Sequence, residues 1–190
     1  MNAIYDFDFA VLEALQKIHC TFLNYFLMCM TYLCEGGAVW ILFILLFMRK
    51  KHTRAMGMAA ANGLILMILS NTLIKRIVQR PRPFILHPWI DTFISHPGDY
   101  SFPSGHSCSS FAAATAVFCY NKSLGIAAYI TAAVIAFSRV YFAVHFVTDV
   151  ICGSIFGVIL GLIAVKITGK VIVPRFGKKL GIAPEQSDQS

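Results

Sequence analysis

The sequence predicts an all-α integral membrane protein of about five transmembrane helices, preceded by an N-terminal interfacial helix. Three observations predict it. Of the 190 residues, 57% are apolar and only 13% charged, a balance far from that of soluble domains. Mean hydropathy is +0.69. The apolar residues gather in runs near the length of a membrane span, about 20 residues, with dense polar clusters between them. A chain of this length is expected to form one domain.

Residues 1–19 are expected to be the interfacial segment. Residues 5–18 alternate apolar and polar at helical spacing and include Asp8, Glu13 and Lys17, the pattern of a helix lying on a membrane surface. Met1 to Asp8 carries two acids and no base, unlike a cleavable signal peptide. Residues 20–170 form the expected helical membrane domain. Its first apolar run, 20–48, is interrupted by Glu35-Gly36-Gly37. It is too long for one straight span and too short for two, so a dipping helix, a break and a span ending near Met48 are expected. Further spans run near 55–74, 104–120, 125–140 and 146–166. Alanine triplets at 59–61 and 112–114, and Gly153, Gly157 and Gly161 at four-residue steps, suit helices that approach closely in lipid. Residues 171–190 are expected to be a cytoplasmic tail, disordered from Glu185 to Ser190.

The formal net charge of +7 invites a nucleic-acid reading, which its placement excludes. Arg49, Lys50, Lys51, Arg54, Lys122, Lys166, Lys170, Arg175, Lys178 and Lys179 all fall on one side if the spans alternate. The positive-inside bias makes that side cytoplasmic. The six cysteines show no C-x-x-C and no metal-ligand spacing, and read as small packing residues.

Three polar clusters fall on the opposite side: Lys75 with Arg82-Pro83, then Pro103-Ser104-Gly105-His106, then Ser138-Arg139 followed by His145 and Asp149. Charge inside a membrane is costly and is kept mainly for function. His145 and Asp149 are four apart and share one face if both are helical. A carboxylate on one ring nitrogen fixes the tautomer and makes the other nitrogen a better nucleophile. Arg139 suits bidentate phosphate contacts, with an interfacial anchor as the lesser alternative when it is read alone. Pro103 and Ser104 suit a helix start, and free N–H groups there attract an anion. Gly105 permits close approach, with His106 beside it in the first turn. Lys75 and Arg82, with Arg76 and Arg80 as less specific bases, break the positive-inside bias and call for an anionic ligand.

The joint pattern, Lys-x6-Arg-Pro, Pro-Ser-Gly-His and Ser-Arg-x5-His-x3-Asp, resembles the type 2 phosphatidic acid phosphatase family, relatives of the vanadium haloperoxidases. The resemblance covers residues 75–149 and includes every signature position. It implies a haloperoxidase-like helical bundle and a lipid phosphatase working without metal or cofactor. In that reading Lys75, Arg82 and Arg139 bind phosphate oxygens, helped by Ser104 and the Gly105 amide. His145 attacks phosphorus and carries a phosphohistidine, Asp149 orients it, and His106 protonates the leaving oxygen and then activates water. The N-terminal region is one span shorter than in six-span members.

The expected partners are a lipid phosphate substrate and membrane lipids. The expected location is a bacterial cytoplasmic membrane with an outward-facing site. Undecaprenyl diphosphate is the first-choice substrate, and phosphatidylglycerophosphate or phosphatidic acid is the alternative. A non-catalytic lipid-binding or transport protein is the rival class. His19, His52, His87 and His96 read as interfacial or loop residues. Glu35 reads as a residue of the helix break or of the lipid entrance. The aromatics Phe84, Trp89, Phe93, Tyr100 and Phe102 read as interface anchors.

Overall fold

The computed structural model describes residues 3–87, 90 and 92–182. Trp89 and the expected disordered tail from Glu185 lie outside them. The described residues form nine α-helices: α1 (Ala3–Gln16), α2 (Thr21–Leu33), α3 (Ala38–Arg49), α4 (Arg54–Val78), α5 (Pro83–Leu86), α6 (Gly105–Tyr120), α7 (Lys122–Tyr141), α8 (Val147–Ile167) and α9 (Val173–Leu180).

The bundle is built around α6. Its sequence is small-residue-rich on all sides, so no face is left for lipid, and such a helix is driven to the centre. Ser107 to Ser110 and Ala112 to Val117 are all buried. It packs against α8, α7 and α4. The contact with α8 depends on the glycine row. A methyl group at Gly153 would come within 2.8 Å of the Ser104 carbonyl oxygen, and one at Gly161 within 2.7 Å of that of Ala112. At Gly157 it would overlap the Cys108 carbonyl oxygen. Backbone therefore lies against side-chain-free backbone, the close packing that substitutes for water expulsion inside a membrane.

Span limits differ from those expected for local reasons. Asn121 ends α6 and caps α7 in one residue, its side chain accepting the Leu124 N–H at 2.9 Å. The expected loop before 125 is therefore absent, and α7 starts at Lys122. At 25 residues, α4 is about 37 Å long and carries Lys75 inside its last turn. Among the described residues three segments are long and apolar enough to cross a membrane: Lys51–Leu86, Lys122–Tyr141 and Val147–Leu180. The pair α2 and α3, bent by 48° at the Glu35–Gly37 break, passes the same test only when taken together, as one broken span or a re-entrant loop. Gly36 and Gly37 take φ of 60° and 77° there, a left-handed path that glycine follows without strain. The remaining expected span, α6, has 16 residues and is mostly buried.

The break lies beside the site end of α6. Trp40, the third residue of α3, donates to the Ser110 hydroxyl at 2.9 Å. Helix α1 turns one face inward and buries Asp8, Phe9 and Leu12, while Ile4 and Phe7 stay exposed. Past residue 170 the chain stays helical through α9. The Leu180 carbonyl accepts from Arg54 at 2.9 Å, so the two basic segments share one end of the bundle.

Replacing Gly157 with alanine should destabilise the protein in detergent by about 1–3 kcal/mol, the usual cost of forcing a group into a filled core. Gly169→Ala, where a methyl group meets nothing within 4 Å, should leave the melting temperature close to that of the parent. Thermal melts followed by size-exclusion chromatography compare the two.

Candidate active site

Four chain segments deliver the predicted residues to one end of the bundle. Lys75 comes from the last turn of α4. The chain then turns sharply at Gln79, with φ 49°, and runs through Arg80-Pro81-Arg82 to α5. The Ser101 N–H donates to the Arg80 carbonyl at 2.8 Å, which ties the returning loop to this turn. Ser104 caps α6, its hydroxyl accepting from the Ser107 N–H at 3.4 Å. The Ser104 N–H donates to the Asp149 carbonyl at 3.1 Å, joining the second and third clusters directly. Arg139 ends α7, and His145 precedes α8.

The cations are buried. Arg82 is 2% exposed and Arg139 3%. Arg82 donates through Nη1 to the Val144 carbonyl and through Nε to that of Asp99, at 2.5 and 2.8 Å. Asp99, which sequence patterning did not single out, bridges two of the predicted phosphate ligands. Its Oδ2 lies 2.6 Å from Lys75 Nζ and its Oδ1 2.5 Å from Arg82 Nη2. Burial opposes ionisation of this carboxyl, but the ammonium and guanidinium prevail and lower it from 3.8 to about 2. A carboxylate thus sits where two cations gather, as an anionic ligand would. Arg139 donates to the Thr31 hydroxyl at 2.5 Å, and its Nε is buried without a hydrogen-bond partner.

His145 is 1% exposed. Its Nε2 lies 3.3 Å from Arg82 Nη1. A guanidinium only donates, so Nε2 carries the lone pair and Nδ1 the proton. Nδ1 points at Asp149 Oδ2, 3.6 Å away, and at the Ser101 hydroxyl, 3.5 Å away. Burial, and then the fields of Arg82, Arg139, Lys75 and His106, hold the imidazole well below its ordinary pKa, which keeps it neutral. His106, in the first turn of α6, has a buried Nε2 without a hydrogen-bond partner. The Glu35 carboxylate lies 3.8 Å from it, so Glu35 belongs to the rim of this site.

A family model, the PAP2 superfamily, matches residues 55–172. The chain belongs to the PAP2 superfamily. An undecaprenyl-diphosphatase of Bacillus subtilis is 32% identical over 102 residues, 54% of this chain and 50% of that protein. The matched part thus spans half of that relative's length. An undecaprenyl-diphosphatase of Sulfolobus acidocaldarius is 32% identical over 144 residues, 73% of this chain and 68% of that protein. Among solved structures, a PAP2-type phosphatidylglycerolphosphate phosphatase from Bacillus subtilis superposes with TM-score 0.72 at 25% identity, covering 90% of this chain and 89% of that one.

Within this PAP2 bundle two expectations need correction. His145 and Asp149 do not share a helix face, because α8 begins at Val147. His145 lies in the preceding turn, and Asp149 turns back to accept the Phe146 N–H at 3.0 Å. Arg80 is not a spare base: it bonds Asp149 Oδ1 at 2.6 Å and Asp8 Oδ2 at 2.7 Å. His19 and His96 lie in loops as expected, paired there with the Tyr141 carbonyl at 3.0 Å and the Thr92 hydroxyl at 2.9 Å. Sequence reasoning also missed Ser101, whose hydroxyl donates to Asp149 Oδ2 at 2.5 Å. The repeated Arg-Pro of residues 80–83 was the available signal for Arg80. Nothing local marked Asp8, Asp99 or Ser101.

Asp99→Asn should strengthen binding of orthovanadate, a phosphate analogue, by up to about fivefold, the scale of an exposed ion pair. Titration calorimetry on purified protein measures it; weaker binding would instead assign Asp99 to holding Lys75 and Arg82 in place. The sign with pH is fixed by the depressed pKa. The stabilisation from the Asp99 ion pairs is complete above about 3.8 and is lost as pH falls through about 2. Acid melts should therefore show that loss in the parent and not in Asp99→Asn.

Proposed function

We propose that the protein is a lipid phosphate phosphatase that works through a phosphohistidine without a metal. The observation that carries this reading is the placement of the His145 ring, Nε2 3.3 Å from Arg82 Nη1 and Nδ1 turned to Asp149. Its lone pair at Nε2 faces Arg82, a predicted phosphate ligand, while its proton faces Asp149. Phosphate held by Lys75, Arg82 and Arg139 would displace Asp99 and present phosphorus to Nε2. The N–P bond forms as the bond from the same phosphorus to its leaving oxygen breaks, that oxygen departing with the lipid alcohol of a monoester or with the lipid monophosphate of a diphosphate. His106 gives a proton to the leaving oxygen, then takes one from the water that cleaves the N–P bond. Three fixed cations and the amides at Gly105 neutralise charge developing on the oxygens. Nδ1 and Asp149 Oδ2 stand 3.6 Å apart, just outside hydrogen-bond reach, and would close to a hydrogen bond as the imidazole gains charge.

The substrate reading rests on an apolar cavity of about 580 Å³ that reaches His106, lined by Ile41, Leu45, Leu64, Ile65 and Ile68 from α3 and α4. It offers a lipid tail a path between helices to the polar end. The basic turn Arg49–Arg54 and α9 lie at the opposite end, which favours an outward-facing site in a cell membrane. With the names of the two sequence relatives, this points to undecaprenyl diphosphate, converted to the monophosphate and inorganic phosphate. Phosphatidylglycerophosphate is the second reading, favoured by the likeness to the solved phosphatidylglycerolphosphate phosphatase over 90% of the chain. A lipid-binding or transport protein would need the cations but not an oriented imidazole–carboxylate pair.

Phosphate release from undecaprenyl diphosphate, phosphatidylglycerophosphate and phosphatidic acid in detergent tests the reading. Release should persist in excess chelator. It should disappear in His145→Ala and fall by roughly 10²–10⁴ in His106→Ala, the usual contribution of a general acid–base. Inactivity on every lipid, or activity surviving His145→Ala, would refute it.

A further inference from the structure

One buried ionic network lies outside the residues assigned to phosphate chemistry. Asp8 on α1 is 0% exposed, and a buried carboxylate is retained only when fully partnered. Its partners are at the start of α8. Oδ1 accepts the Thr148 N–H at 3.0 Å and Oδ2 the Thr148 hydroxyl at 2.6 Å. Thr148 is in the first turn, where backbone N–H groups lack helical acceptors, so Asp8 caps α8 from another helix. Arg80 closes the network. Nη2 meets Asp8, while Nη1 meets both Asp149 Oδ1 at 2.6 Å and the Thr148 hydroxyl at 2.7 Å. The guanidinium carbon sits 4.7 Å from the Tyr5 ring centroid and 4.1 Å from that of Phe146. The fork is thus held by aromatic faces as well as by carboxylates.

The geometry points to Asp8 and Arg80 as a paired positioning device for the Asp149–His145 dyad, which makes the N-terminal helix part of the catalytic unit. Arg80 occupies Oδ1 of Asp149 and leaves Oδ2 turned toward His145 Nδ1, with Ser101 and the Phe146 N–H fixing that oxygen. Arg80 alone would cancel the negative charge that His145 needs from Asp149. Asp8 offsets it, so Asp149, Arg80 and Asp8 together keep one net negative charge beside the imidazole. Neither residue touches the phosphate position, which is ringed by Lys75, Arg82 and Arg139. This inference rests on the phosphatase reading above.

The charged and titratable groups acting on His145 are Arg82 from the N-cap of α5, Lys75 from α4, His106 from α6, Arg139 from α7 and Asp149 from α8. Arg80 and Asp8 act from behind Asp149. The signs of the two substitutions are therefore opposite. Arg80→Gln removes a positive charge, makes His145 easier to protonate and should move the acid limb of kcat/KM to higher pH. Asp8→Asn removes a negative charge and should move it to lower pH. The double variant restores the net charge, so its limb should return close to the parent position while kcat stays low. Each single variant should lose about 10–100-fold in kcat, the scale for partners one shell behind a reacting group, with KM little changed.

The experiment is a set of pH–rate profiles on full-length protein in detergent, with melting temperature and orthovanadate affinity measured in parallel to report folding and an intact anion site. Arg80→Lys keeps the charge but not the fork. It should lower kcat without moving the limb, and it carries the test if Arg80→Gln does not fold. Losses in kcat with limbs unmoved in both single variants, or moved the same way, would overturn the proposal and leave a structural role. A parent protein inert on every lipid phosphate would overturn the phosphatase reading itself.

Discussion

Charge balance in a place without bulk water is the constraint on which the rest of this structure depends. Lys75, Arg80, Arg82 and Arg139 face Asp8, Asp99 and Asp149 at one end of an apolar bundle. In such surroundings an unpaired charge costs several kcal/mol, and among the described residues Arg139 alone of these four cations meets no carboxylate within 4 Å, its guanidinium bonding the Thr31 hydroxyl instead. The matching is uneven. Arg80 is closed between two fully buried carboxylates, whereas Lys75 and Arg82 share Asp99, whose side chain is 56% exposed. The permanent pairs are therefore buried deep, and the exchangeable pair is at the surface, where a phosphate would arrive.

Packing makes this balance possible. The row Gly153, Gly157 and Gly161 brings α8 against α6 closely enough for the Ser104 N–H to reach the Asp149 carbonyl at 3.1 Å. A larger residue in the row would separate the cap of α6 from the start of α8. The helix start carrying His106 and the turn carrying His145 would separate with them. In this PAP2 bundle the small residues, which look like lipid-protein filler, set the spacing of the polar end.

Much of this was legible in the sequence, because membrane constraints are severe. The apolar runs gave the helices, the glycine steps gave a closely packed face on the last span without naming its partner, and the three clusters gave the residues that meet. What stayed hidden has a common cause. Asp8 and Asp99 find their partners 72 and 24 residues away, and no local period encodes such a pairing. The amphipathic look of residues 5–18 described α1 as a surface helix, but one buried carboxylate was enough to anchor that helix to α8. The helix-face argument for His145 and Asp149 reached a true proximity by the wrong route. Phe146 caps α8, so the histidine is delivered by a turn and the carboxylate by the first helical turn.

The single-residue junction at Asn121 has a mechanical consequence. With α6 and α7 joined so tightly, and α8 seated backbone to backbone on α6, these three helices behave as one stiff block. Parting them would break many contacts at once. Compliance is left to the opposite wall, where α2 and α3 meet at two left-handed glycines whose Cβ positions face nothing within 4 Å. Bending at those glycines would disturb few contacts and would leave the groups at the polar end of α6, α7 and α8 in register.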